Sequence, residues 1–153
     1  MKISPVHWHL ILNHFPIVLS ITGSLLLIVA LLIKKDLLKF SGLIILTIAA
    51  LFVWPVYKSG ENAEEPAEGI AGISHEAINT HEDLAINGLR IMLATGVIAG
   101  VSLFQLNRKN GSSKYLIIFT LIGGLLSSGY LSYVGYTGGE IRHAEIRGDI
   151  FGK

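Results

Sequence analysis

The sequence predicts an all-α integral membrane protein, a four-helix transmembrane bundle built as two hairpins with both termini on the exoplasmic side. Three observations predict it. Four apolar stretches, roughly 10–33, 40–57, 84–106 and 115–136, reach or approach the about 20 residues that a spanning helix needs. The chain is 51% hydrophobic and only 15% charged, unlike an ordinary soluble domain. Its charges are also segregated along the chain. The two short turns after the first and third stretches carry Lys34, Lys35, Lys39, Arg108, Lys109 and Lys114 against a single acid, Asp36. The other side holds ten acids, from Glu61 to Asp149. The positive-inside rule then puts both short turns in the cytoplasm, and the termini and the polar connection 58–83 outside. A soluble bundle with unusually apolar helices is the competing reading, and the length of the apolar runs weighs against it. The 153 residues form one transmembrane domain.

The first helix opens with Ser4-Pro5, a serine N-cap followed by a proline whose missing N–H costs nothing at the first helical position. The apolar run behind it is too long for a secretory signal and closes on Lys34-Lys35. His7 and His14 share one stripe of this helix, His9 and Asn13 another. His14 lies within the start of the apolar run, where an imidazole needs a partner. In the outer connection, Glu61, Glu64 and Glu65 have the spacing of one helical face, and Ser74 is placed to cap a helix running through His75 and His81 into the third span. Arg90 falls inside that span, where a charge is costly unless paired. Sharing a side with Asp83 and Asn87, it is expected to face the bundle and meet an acid, a carbonyl or an anionic cofactor group. Tyr57-x-x-Gly60-Glu61 after the second span matches Tyr136-x-x-Gly139-Glu140 after the fourth, a weak repeat that suggests two related hairpins with a site between them. Trp8, Trp54, Tyr57, Tyr130, Tyr133 and Tyr136 gather at the outer boundary as an aromatic belt. Glycines 23, 42, 88, 96, 100, 123, 124 and 129 either allow close helix approach or leave room for a flat cofactor.

The absence of cysteine excludes disulfides, thiolate metal sites, iron–sulfur clusters and covalent haem attachment. A net charge of +1 without a basic patch gives no indication of nucleic-acid binding. His75-Glu76 and His81 do not make a zinc-protease motif, because the two histidines are six apart rather than four. All six histidines fall on the outer side, at the ends of different helices. Two chemistries follow. Histidines from different helices ligate haem b, with Arg90 or Arg142 offsetting the propionates. Alternatively, histidines and glutamates hold zinc, copper or iron, from the pool His9, His14, His81, His143, Glu61, Glu65 and Glu82.

His9-x4-His14-Phe15-Pro16-Ile17, Ser59-Gly60-Glu61-Asn62-Ala63-Glu64-Glu65, His81-Glu82-Asp83-Leu84-Ala85 and Gly138-Gly139-Glu140-Ile141-Arg142-His143 together span the chain. They resemble the outer segments of a family of small four-helix bacterial membrane proteins known as a domain of unknown function. Ser59 stands where one branch has threonine, and Ala144 where it has proline. The resemblance implies the bacterial inner membrane and, since some relatives are joined to cytochrome-c-like modules, a redox setting. It raises His9, His14, His81 and His143 above His7 and His75, and Glu61, Glu65, Glu82 and Arg142 with them. The combined expectation is a b-type haem or redox-metal protein whose site faces the periplasm or exterior, with His14 and His81 as leading axial ligands. Its partners would be membrane lipid, a quinone and an exoplasmic redox protein. Non-redox zinc or copper binding, or a structural role in a homo-oligomer or larger membrane complex, are the alternatives.

Overall fold

A computed structural model describes residues 3–70, 72–108 and 113–142. The described chain is helical nearly throughout: α1 Pro5–Leu12, α2 His14–Ile33, α3 Asp36–Glu68, α4 His75–Asn107 and α5 Ser113–Arg142. With α1 and α2 taken as one rod, four helices are long and apolar enough to cross a membrane. They form an up-and-down ring in which α3 lies between α2 and α4, and α5 between α4 and α2, while α1 lies against α3. The starts of α1 and α4 and the ends of α3 and α5 therefore share one end of the bundle.

The first helix begins as the sequence dictates: Ser4 Oγ accepts from the His7 backbone N–H, and Pro5 occupies the first turn. Its hydrogen bonding is interrupted at Asn13, whose backbone stays helical, because Pro16 has no N–H to offer the Leu12 carbonyl. Lys34, in the left-handed conformation at φ 55°, ends α2 and turns the chain directly into α3. The polar segment 58–83 is mostly helix rather than loop. Only the link 69–74 separates α3 from α4, which starts on the expected Ser74 cap. The alanines and glutamates after Lys58 are good helix formers, so α3 continues past its apolar run despite Pro55 and Pro66.

Large apolar side chains such as Leu32, Leu51, Val97, Phe119 and Leu126 are exposed around the outside, an arrangement that water disfavours and hydrocarbon favours. The interior is built from smaller groups around Leu27, Leu43, Leu46 and Met92. A Cβ on Gly23 would press on Leu46 and the Gly42 carbonyl, and one on Gly42 on Leu27 and the Gly23 carbonyl. Here α2 and α3 touch backbone to backbone, the close approach that small residues permit. The buried polar side chains among the described residues are all hydroxyls. Most donate to a carbonyl of their own helix, as Ser24 does to Ser20 O at 2.7 Å. Thr95 with Ser127 (3.1 Å) and Ser102 with Thr120 (2.9 Å) also bridge α4 and α5, so no hydroxyl need face hydrocarbon unpaired.

Glycines 23, 42, 88, 96, 123 and 124 are all spent on helix contacts, since an added Cβ on each would collide with or crowd a neighbouring helix. Gly100 and Gly129 have open space beside them.

Candidate functional site: a paired histidine centre at one end of the bundle

The end where α1, α3, α4 and α5 meet carries two matching constructions. His9 on α1 places its ring Nδ1 3.0 Å from Ser59 Oγ on α3, and that hydroxyl lies 2.6 Å from the Val56 carbonyl. His81 on α4 places Nδ1 3.0 Å from Thr137 Oγ1 on α5, and that hydroxyl lies 2.9 Å from the Val134 carbonyl. A hydroxyl has one proton. Each gives it to its own helix carbonyl and so can only accept from the imidazole. With the hydroxyl protons on the helix carbonyls, the tautomer that fits both rings has its proton on Nδ1 and its lone pair on Nε2.

Glycine completes each construction. A Cβ on Gly60 would stand 3.1 Å from His9 Cε1, and one on Gly138 3.0 Å from His81 Cε1. The rings lie flush against backbone that only glycine leaves clear. The two half-buried rings adjoin in an edge-to-face arrangement, with centres 6.4 Å apart and planes at 76°.

These contacts fix the register of the internal repeat. The equivalent residues are Val56 and Val134, Ser59 and Thr137, and Gly60 and Gly138, a Val-x-x-Ser/Thr-Gly motif. This is one residue out of step with the expected Tyr-x-x-Gly-Glu alignment, and it is set by the hydroxyl-to-imidazole contact that both halves make. Ser59 and Thr137 do not stand out in the sequence, although the duplicated motif holding them is visible there.

The structure brings His9, not His14, to His81. His14 is exposed, and its need for a partner is met within its own helix, Nδ1 donating to the Leu10 carbonyl at 3.1 Å. His7 bonds Ser4 Oγ at 2.9 Å, and His75 pairs with Glu68 at 2.9 Å across the α3–α4 link. His143 and the Arg142 side chain lie outside the described residues.

Arg90 faces away from the bundle rather than into it. It is exposed, and donates from Nη1 to Asn87 Oδ1 at 3.3 Å, while Asn87 Nδ2 donates to the Asp83 carbonyl at 3.0 Å. The expected shared side with Asp83 and Asn87 exists, but Gly88, Leu89 and Met92 take the buried face of α4. Glu61 is bound to Lys58 at 2.6 Å, Glu65 is exposed, and half-buried Glu82 sits in the field of Glu64 and Glu61. Among the described residues no group of three or more histidines and carboxylates is gathered as one metal site.

Two clefts flank the pair, each touching one of its hydroxyls. One, of about 560 Å³, is lined by Ile3, Pro5, Trp8, Leu12, Ser59 and Asn62. The other, of about 370 Å³, is lined by polar groups including Glu76, Thr80 and Thr137. Comparison of the chain with protein-family models, with curated proteins and with solved structures gives no match in any of the three.

Proposed function

We propose that this is a multi-pass membrane protein of the bacterial inner membrane, with the paired-histidine end exoplasmic, and that His9 and His81 hold one redox-active metal ion serving electron transfer. The observation that carries the reading is the adjoining pair of imidazoles, each tied at Nδ1 to a fixed hydroxyl. Metal-ligating histidines characteristically donate their second ring nitrogen to such an anchor, which fixes the tautomer and aims the lone pair.

The spacing supports a single ion between the rings. A first-row metal sits about 2 Å from an imidazole nitrogen and the ring centre about 1.15 Å beyond, so two imidazoles on opposite sides of one ion have centres about 6.3 Å apart, against about 5 Å for a tetrahedral pair. The observed 6.4 Å, between rings that stand edge to face, fits the former in separation alone. Asn13 Oδ1, one turn from His9 on the same stripe, is buried without a hydrogen-bond partner among the described residues. A donor carried by a bound species would satisfy it.

A haem macrocycle fits less well. The glycines that offered a flat slot are mostly filled, and neither flanking cleft is lined by both histidines. Copper or iron held directly by the imidazoles suits the pair, and copper stands highest in affinity for nitrogen donors.

The test is elemental analysis and an absorption spectrum on protein purified in lipid nanodiscs from metal- and haem-replete cells. One equivalent of copper or iron is expected, lost in His9→Ala and His81→Ala and retained in His14→Ala. Stoichiometric zinc would replace redox with storage or sensing. A Soret band would restore haem, and metal-free protein would refute the centre.

A further inference from the structure

We propose that the cleft between α1 and the end of α3 binds a neutral aromatic dicarbonyl compound of the membrane, of the quinone class, and that this is the partner of the histidine centre. The inference rests on the proposed metal centre for its purpose, while the binding itself does not require it.

The chemistry of the cleft selects the occupant. Its volume of about 560 Å³ lies within the range of small-molecule sites. Ile3, Pro5 and Leu12 give it apolar walls, Trp8 an exposed indole face, and Ser59 and Asn62 a polar end. None of the described lining residues is charged, so an ionic ligand would gain nothing from them. The Ser59 hydroxyl is already committed to the Val56 carbonyl and to His9. The groups with protons to give are the Asn62 carboxamide and the Trp8 indole N–H. A ligand that stacks on indole and accepts hydrogen bonds through ring carbonyls meets both demands, whereas a phospholipid headgroup would bring a charge that no described lining residue offsets.

Position supplies the second argument. Ser59 lines this cleft and also accepts from His9 Nδ1. A ring seated here is one hydroxyl away from the imidazole proposed to hold the metal. The matching hydroxyl of the other hairpin, Thr137, opens on a cleft with Glu76 and Glu140 in its lining. The two halves share the histidine anchor but present it to different surroundings, one apolar and one acidic.

The chain has two tryptophans, and both are exposed at this end, which gives a direct readout. In a Trp54→Phe protein in nanodiscs, a decyl-substituted benzoquinone is expected to quench Trp8 fluorescence saturably. A decylbenzene lacking carbonyls should not compete. Asn62→Ala should weaken the quinone at least fivefold, and Asn62→Phe, which fills the cleft, should abolish saturation. The same curve is expected in His81→Ala protein without metal, so loss of the metal reading would leave this result standing. Quenching that rises linearly, is unchanged in Asn62→Ala, or is matched by Trp54 in a Trp8→Phe protein would mean partition into lipid alone and overturn the proposal. A co-purified phospholipid that the quinone cannot displace would overturn it equally.

Discussion

Replacing Thr137 by valine removes one hydroxyl at nearly constant volume from a position 8% exposed. The Val134 carbonyl keeps its place in the helix, but His81 Nδ1–H loses the acceptor 3.0 Å away. With only the Val134 carbonyl left to accept from the ring, that donor is less well paired, at a cost of at most about 1–3 kcal/mol. The ring can escape the cost by moving its proton to Nε2, and that is the nitrogen needed for metal. Loss of an outer anchor of this kind typically lowers metal affinity about 10–100-fold, about 1.4–2.7 kcal/mol, the same range as the hydrogen bond itself. Two measurements separate the steps. Nitrogen-15 NMR of histidine-labelled, metal-free protein should show the Nδ1–H tautomer for His9 and His81 in the parent, with His81 alone altered in the variant. Competition with a chelator should show the fall in affinity. If His81 keeps its Nδ1 proton and metal affinity stays within twofold, the hydroxyl does not govern the ring and the account of the site is wrong.

Gly138→Ala should displace the His81 ring by a few tenths of an ångström and weaken metal binding, because the new Cβ would lie 3.0 Å from Cε1; Gly139→Ala, with nothing within 4 Å, should be silent in the same titration. Gly96→Ala would overlap Ala50 and force α3 from α4, lowering stability by about 1–3 kcal/mol as overpacking does. Gly100→Ala, facing open space, should leave the thermal transition unchanged or raised. His75→Ala breaks only a pair whose histidine side chain is 71% exposed and should cost less than about 1 kcal/mol, with metal content untouched.

The helices were legible because their signals are local. Ser4-Pro5 and Ser74 announce the starts of α1 and α4, and the apolar runs announce the spans. The full lengths were less legible: hydropathy marks where a helix meets hydrocarbon, not where it stops, so the polar end of α3 reads as connection. The site was legible as a set of residue types and as a place, but not as a pairing. Whether His9 or His14 turns inward depends on α1 lying against α3, which is a tertiary fact. Arg90 illustrates the same limit. Its companions on the helix face follow from spacing, while the direction of that face depends on which side Leu89 and Met92 bury.

The register that the two histidine contacts set bears on which ion the centre would choose. With Val56, Ser59 and Gly60 matched to Val134, Thr137 and Gly138, the elements shared by the two halves are imidazole, hydroxyl, carbonyl and glycine, all neutral. Glu61 has no counterpart in that register and is held by Lys58. A bound cation would therefore keep its charge at the half-buried pair, with no carboxylate among its described ligands. The desolvation cost of an ion rises as the square of its charge, so a divalent ion pays about four times what a monovalent one of equal size does. Two neutral imidazoles on opposite sides of one ion also suit a monovalent metal better than zinc, which takes four ligands arranged as a tetrahedron. Titration of the purified protein under reducing conditions should thus find Cu(I) bound more tightly than Zn(II). Adding a carboxylate beside the pair, as in Ser59→Asp, should narrow that preference or reverse it. Zinc bound more tightly than Cu(I) by the unaltered protein would show that the neutral pair does not set the ion's charge.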